Sequence, residues 1–175
     1  HLGTGLIGGQ WLNRLLSDRG RIDLSYIFAT NRTYPSWGYM IEKGATTVWE
    51  LWNGDTADPA MNSGNHVMLV GDLGIWYYEY LAGIKADVKN PGFKNILMKP
   101  FVVGDLTWVN ASYDSIRGKI SSEWKYNPEN SSFEWTIEIP SNSTAKVSVP
   151  TSNPDSVAVD GLDLKTVSKT AIDDR

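Results

Sequence analysis
Residues 69–92, LVGDLGIWYYEYLAGIKADVKNPG, contain the change of pattern that decides the fold. In the first half, Leu69, Val70, Leu73, Trp76, Tyr77, Tyr80 and Leu81 fall at the spacings that line one face of a helix. Gly83 stands where such a helix ends, because glycine takes the left-handed terminal conformation without a Cβ penalty. The second half, GIKADVKNPG (83–92), is polar and carries Pro and Gly, as a boundary does.

Upstream of this stretch the pattern stays helical. Leu6, Ile7, Trp11, Leu12, Leu15 and Leu16 predict a helix with Thr4 as N-cap and Gly20 as terminator. Asp23 predicts the cap of a second, shorter helix carrying Leu24, Ile27 and Phe28. That helix should stop near Asn31, since Pro35 disfavours helical geometry in the residue before it. Between the second and third helices, residues 33–65 read as a long irregular segment. Loops of that length in compact proteins are usually functional or disordered, and the density of Trp and Tyr here argues for the former.

Downstream, from about Lys94, the period becomes two. FEWTIEI (133–139) alternates Phe133, Trp135, Ile137 and Ile139 with Glu134, Thr136 and Glu138. Further strands are predicted at 95–102, 105–113, 118–126, 145–149 and 156–160, separated by turn-forming pairs such as Asn127-Pro128 and Asn153-Pro154. Short strands at regular spacing point to an antiparallel β-sandwich. The expected organisation is mixed, helical plus all-β: a helical part over 1–85, a sandwich over 86–165 and a tail over 166–175.

Composition narrows the function. The chain has 175 residues, 41% hydrophobic and 21% charged, as in a folded domain. A net charge of -4 argues against nucleic acid, which demands a basic face. No apolar run reaches the roughly 18 residues of a membrane span. The absence of cysteine excludes disulfides and thiolate metal sites and says little about compartment, so periplasmic, extracellular and cytoplasmic locations all stay open. The chain opens HLGTGLIGG, with neither Met nor a signal-peptide pattern, and is expected to be part of a longer protein. Its three predicted helices leave apolar surface that upstream helices would cover.

KGATTVWELWNG (43–54) places a single carboxylate, Glu50, between two tryptophans. Burying an unpaired charge is costly, so the combination suggests a carboxylate held in an aromatic-walled cavity as a general base or half of an acid/base pair. The alternative is a Glu that pairs with Lys43 or caps a backbone turn. His66, in MNSGNHVML (61–69), either donates to a substrate hydroxyl or is satisfied locally by Asn62 or Ser63. Trp37, Trp49 and Trp52 are candidate walls, since aromatic faces pack against sugar rings, and core packing is the alternative. Trp11, Trp76, Trp108, Trp124 and Trp135 read as core. NGDTADPAMN (53–62) lacks the ligand alternation of a calcium loop, and one His among scattered Asp residues is no zinc site, so no metal and no cofactor is expected. Four N-x-S/T sequons, at Asn31, Asn110, Asn130 and Asn142, matter only in a glycosylating pathway.

Two blocks, TYPSWGYMIEKGATTVWELWNG and MNSGNHVMLVGDLGIWYYEYLAGI, resemble the C-terminal part of the catalytic domain of bacterial α-L-rhamnosidases, glycoside hydrolase family 78. The opening 26 residues are similar to the helix pair that precedes this block, and KNILMKPFVV through FEWTIEIPSNSTAKVSVP is similar to the sandwich that follows. The resemblance implies the end of an (α/α)6 toroid and hydrolysis of terminal α-L-rhamnose with inversion. It implies Glu50 as general base, His66 as a sugar contact and a rhamnose-containing oligosaccharide or glycoside as partner. The general acid would lie upstream of this chain, which would be inactive alone. The stretch between Glu50 and His66 is shorter than in many members, which puts aglycone preference in doubt. A carbohydrate-binding or structural accessory segment, and a toroidal glycosidase for another sugar, remain as other readings.

Overall fold
The computed structural model describes residues 3–66 and 68–163. The predicted 166–175 tail lies outside them. Four α-helices come first: α1 (Leu6–Asp18), α2 (Ile22–Thr30), α3 (Trp37–Glu42) and α4 (Met68–Trp76), the last running into a π-helical turn, Tyr77–Leu81. Strands β1 (Ile84–Ala86), β2 (Asn95–Met98), β3 (Trp108–Ser115), β4 (Gly118–Asn127), β5 (Ser132–Glu138) and β6 (Thr144–Val147) follow, then a small β7 (Ala158–Val159) and β8 (Leu162–Asp163). No helix among the described residues is long and apolar enough to cross a membrane.

The first two helices depart from the predicted N-caps. Gly5, not Thr4, is the N-cap of α1, and no side chain bonds its first turn. Arg21 is the N-cap of α2, while Asp23 sits inside the first turn and pairs with Arg21 at 2.9 Å. The short α3 arises within the segment read as irregular. Its N-cap Ser36 accepts from the Tyr39 amide at 3.0 Å. Its end is a Schellman motif, with Gly44 N bonding Ile41 O, Ala45 N bonding Met40 O, and Gly44 at φ +81°. Six residues are too few for periodicity to announce a helix.

α1, α2 and α4 pack around a buried hydroxyl chain. Trp76 Nε1 donates to Ser17 Oγ at 2.8 Å, and Ser17 and Ser25 hydroxyls both donate to Asn13 O, at 2.8 and 2.9 Å. With its N–H satisfied, the Trp76 indole can be fully buried with Trp37, Leu73, Tyr80, Leu81 and Val103.

The sandwich consists of sheets β1-β2-β6 and β3-β4-β5 around Ile84, Ile96, Met98 and Ile120. It is antiparallel except for one pair. β2 and β6 run parallel in register Asn95↔Thr144 to Met98↔Val147, because the chain crosses through the whole second sheet before β6 returns. The expected division between 85 and 86 falls inside β1, whose three residues are too short to show alternation.

The two parts meet at the end of the π-helical turn, where four carbonyls leave the helix without helical donors. Tyr80 O accepts from Phe101 N and Gly83 O from Lys99 N, at 3.0 and 2.9 Å. Leu81 O accepts from Trp124 Nε1 at 2.8 Å, and Ala82 O from the Ser122 hydroxyl at 2.6 Å. The strands therefore cap the helix. Gly83, at φ +76°, lies so close to the chain that an added Cβ would stand 2.3 Å from Pro100 N.

Two tryptophans expected in the core are not there. Trp11 is 51% exposed with the Arg14 guanidinium over its ring, and Trp108 is 63% exposed on β3. Periodicity identifies a face but not whether anything covers it. Trp76 and Trp124 are buried as expected, and Trp135 is half-buried with its N–H on Ser122 Oγ.

Candidate active site
The segment between α3 and α4 is a loop with a laddered neck. Glu50 N donates to Ser63 O at 2.9 Å, His66 N to Val48 O at 2.6 Å, and Leu51 N to Asn62 Oδ1 at 3.1 Å. The Thr47 hydroxyl adds a bond to Gly64 O. Small and β-branched residues in GATTV suit this extended course. Beyond the neck, residues 52–61 fold into consecutive turns, and Gly54 lets the Trp49 ring lie on the backbone, where a Cβ would come within 2.6 Å of it.

The neck brings Glu50 and His66 together. Ser63 N donates to Glu50 Oε2 at 3.0 Å, and His66 Nδ1 lies 3.9 Å from the same oxygen. The Glu50 side chain is 40% exposed and that of His66 15%. Among the described residues, Glu50 Oε1 has no donor. The carboxylate is thus pinned by one oxygen and open at the other. Its expected alternative partner is engaged elsewhere, since Lys43 Nζ lies 3.9 Å from Asp55. The other reading, a cap on a backbone turn, is realised by Ser63 N, and it leaves the second oxygen free.

His66 is not satisfied by Asn62 or Ser63. Asn62 Oδ1 serves Leu51 N, and Ser63 Oγ accepts from Asn65 N at 3.4 Å. His66 Nε2 is buried with no partner among the described residues. An orphaned buried nitrogen of this kind costs about 1–3 kcal/mol and needs a reason.

The three candidate tryptophans divide. Trp37 is 8% exposed and belongs to the hydrophobic core. Trp52 packs edge-on against it, with ring centroids 5.4 Å apart, and donates through Nε1 to Thr4 O at 3.2 Å. This pair fastens the loop to α1 and the core. Trp49 is half-buried against Gly54.

A neighbouring cluster had no signal in the sequence. The Tyr39 hydroxyl donates to Asp55, 3.1 and 3.0 Å from its two oxygens, and Tyr34 packs edge-on against Tyr39 at 5.3 Å. Desolvation and the hydrogen bond to Asp55 both push the Tyr39 phenol above its ordinary range. Sixteen residues separate the partners, so only the fold reveals them. Asp55 and Asp58, the acidic residues of the 53–62 loop, are committed to Tyr39 and to Ala60 N.

A carboxylate with one fixed and one open oxygen can orient a water and accept its proton. Comparison with known proteins bears on which reaction that serves. Residues 1–81 match the family model of the bacterial α-L-rhamnosidase 6 hairpin glycosidase domain, and residues 83–161 that of the bacterial α-L-rhamnosidase C-terminal domain. The chain is similar to an α-L-rhamnosidase of Streptomyces avermitilis, 37% identical over 162 residues, covering 90% of this chain and 15% of that protein. One from Formosa agariphila is 38% identical over 165 residues, with 91% and 17% covered. The crystal structure of the Streptomyces avermitilis α-L-rhamnosidase complexed with L-rhamnose superposes with a TM-score of 0.81 at 34% identity, over 93% of this chain and 17% of that one. The solved structure of the α-L-rhamnosidase from Dictyoglumus thermophilum gives 0.78 at 36%, over 87% and 17%. The chain thus spans less than a fifth of the length of these relatives.

Proposed function
Because the chain belongs to the bacterial α-L-rhamnosidases, we propose that it is a segment of an enzyme that removes terminal α-L-rhamnose from glycans or glycosides with inversion, and that Glu50 is its general base. The observation that carries this is the Glu50 carboxylate, held at Oε2 by Ser63 N–H and open at Oε1.

In this reading Oε1 holds a water on the face of the sugar opposite the leaving group. As the water oxygen bonds to the anomeric carbon, Glu50 takes its proton and the bond to the aglycone oxygen breaks. A general acid protonates that oxygen. An inverting pair stands roughly 6.5–9.5 Å apart to leave room for the water, and the acid comes from another part of the longer enzyme. His66 contacts a sugar hydroxyl through the Nδ1 edge that borders Glu50, and Trp49 shapes the loop around the site. Trp37 and Trp52 act from behind, as the anchor that keeps the loop in place. The remaining hairpins of the glycosidase domain would cover the helical faces left open here, including Trp11.

The test is hydrolysis of an aryl α-L-rhamnoside by the intact enzyme and its Glu50→Gln variant. Loss of a positioned general base lowers kcat by about 10²–10⁴. A variant within a few-fold of wild type would remove Glu50 from the mechanism, and a wild type inactive on rhamnosides would remove the substrate class.

A further inference from the structure
Among the described residues, Trp108 is a tryptophan without a structural task. Trp76, Trp124 and Trp135 have their N–H groups bonded, and Trp52 is likewise tied to Thr4. Trp108 is 63% exposed, and its N–H has no partner among the described residues. Its position is set by register. It stands opposite Lys125 on β4, which stands opposite Glu134 on β5, so the three side chains form a row across the outer face of the sheet. The next row is Asn110, Glu123 and Thr136, also exposed.

Two clefts meet at the indole. One, of about 590 Å³, runs past Lys125, Asn130, Ser132 and Glu134. The other, of about 640 Å³, runs between β3 and the π-helical turn, past Tyr78 and Asn110. Lys125 and Glu134 are not ion-paired to any described residue, and their opposite charges cancel across the row. Glu123 in the next row leaves the face net negative, so an anionic ligand gains nothing there. What the surface offers is an open aromatic face flanked by donors and acceptors, which matches the apolar face and hydroxyl rim of a pyranose.

We propose that the outer face of the β3-β4-β5 sheet, centred on Trp108, is a second carbohydrate-binding site that takes an uncharged polysaccharide chain, with one sugar ring stacked on the indole. It lies on the sandwich, apart from the Glu50 loop, and would hold the enzyme on a polymeric substrate without taking part in the reaction.

Affinity gel electrophoresis of the intact enzyme, carrying Glu50→Gln to prevent digestion, in gels containing a soluble neutral rhamnan tests this. Retardation is expected, weakened at least about tenfold by Trp108→Ala and partly kept by Trp108→Phe, as stacking predicts. With Glu50 intact, Trp108→Ala should hydrolyse the aryl α-L-rhamnoside at the wild-type rate. Absence of retardation in the parent, or retardation of Trp108→Ala within twofold of it, overturns the proposal while leaving the assignment of Glu50 to its own assay. Joint loss of retardation and aryl-rhamnoside hydrolysis in both Trp108 variants overturns it too, since the indole would then be packing against the rest of the enzyme.

Discussion
At the scale of single residues, the proposed site rests on how Glu50 is held. One backbone amide fixes Oε2, and a histidine edge borders it at 3.9 Å. His66→Asn should therefore raise KM by about tenfold through a lost sugar contact, with kcat changing little. An equal fall in kcat and kcat/KM would instead make His66 part of the chemical step. That Glu50 is a candidate was legible in the sequence because a lone carboxylate between tryptophans is unusual. The tasks of the tryptophans were not. Trp37 and Trp52 pair with each other, and that depends on which side of the loop meets α1. Tyr39 and Asp55 were invisible for the same reason.

Elements are joined by a few directional contacts, and each yields a test. Gly83→Ala places a Cβ against Pro100 N in a left-handed backbone and should cost about 3 kcal/mol, read as a lowered urea midpoint. Ser122→Ala strands Ala82 O and the Trp135 N–H and should cost about 2 kcal/mol in the same assay. The loop at Gly104 is tied to α2 by Tyr26, whose hydroxyl donates to Asp105 at 2.5 Å. Burial, then this bond, pushes the Tyr26 phenol from 10.0 up to about 12. The neutral phenol is the favoured form in the fold. The stabilisation is therefore complete below pH 10 and lost as pH rises through about 12. Tyr26→Phe should flatten this alkaline limb of a thermal-unfolding profile, and an unchanged limb would show the contact to be unimportant. Strand periods located β2 to β6 well, because alternation survives over four or more residues. α3 and β1 escaped because six and three residues carry too little pattern.

For the whole molecule, the sequence made the helical and sandwich parts legible, while the burial of their faces was not. Trp11 and Trp108 lie on regular apolar patterns yet remain exposed, since a pattern names a face and only an assembled structure names its cover. The seam of four capped carbonyls ties helix to sandwich, so the β-part supports the loop-bearing core. On the proposed reading, in which Glu50 is the base and the acid lies elsewhere in the longer enzyme, the 175-residue chain alone should release no detectable rhamnose from an aryl α-L-rhamnoside, and measurable turnover by it would mean that a general acid lies within the chain. The most direct test of Glu50 as base is azide rescue of Glu50→Ala in the intact enzyme. Azide needs no proton removed and fits the space of the lost carboxylate and water. Restored cleavage of an activated aryl α-L-rhamnoside with formation of β-L-rhamnosyl azide is the predicted result. No rescue, or an azide product of α configuration, would contradict it.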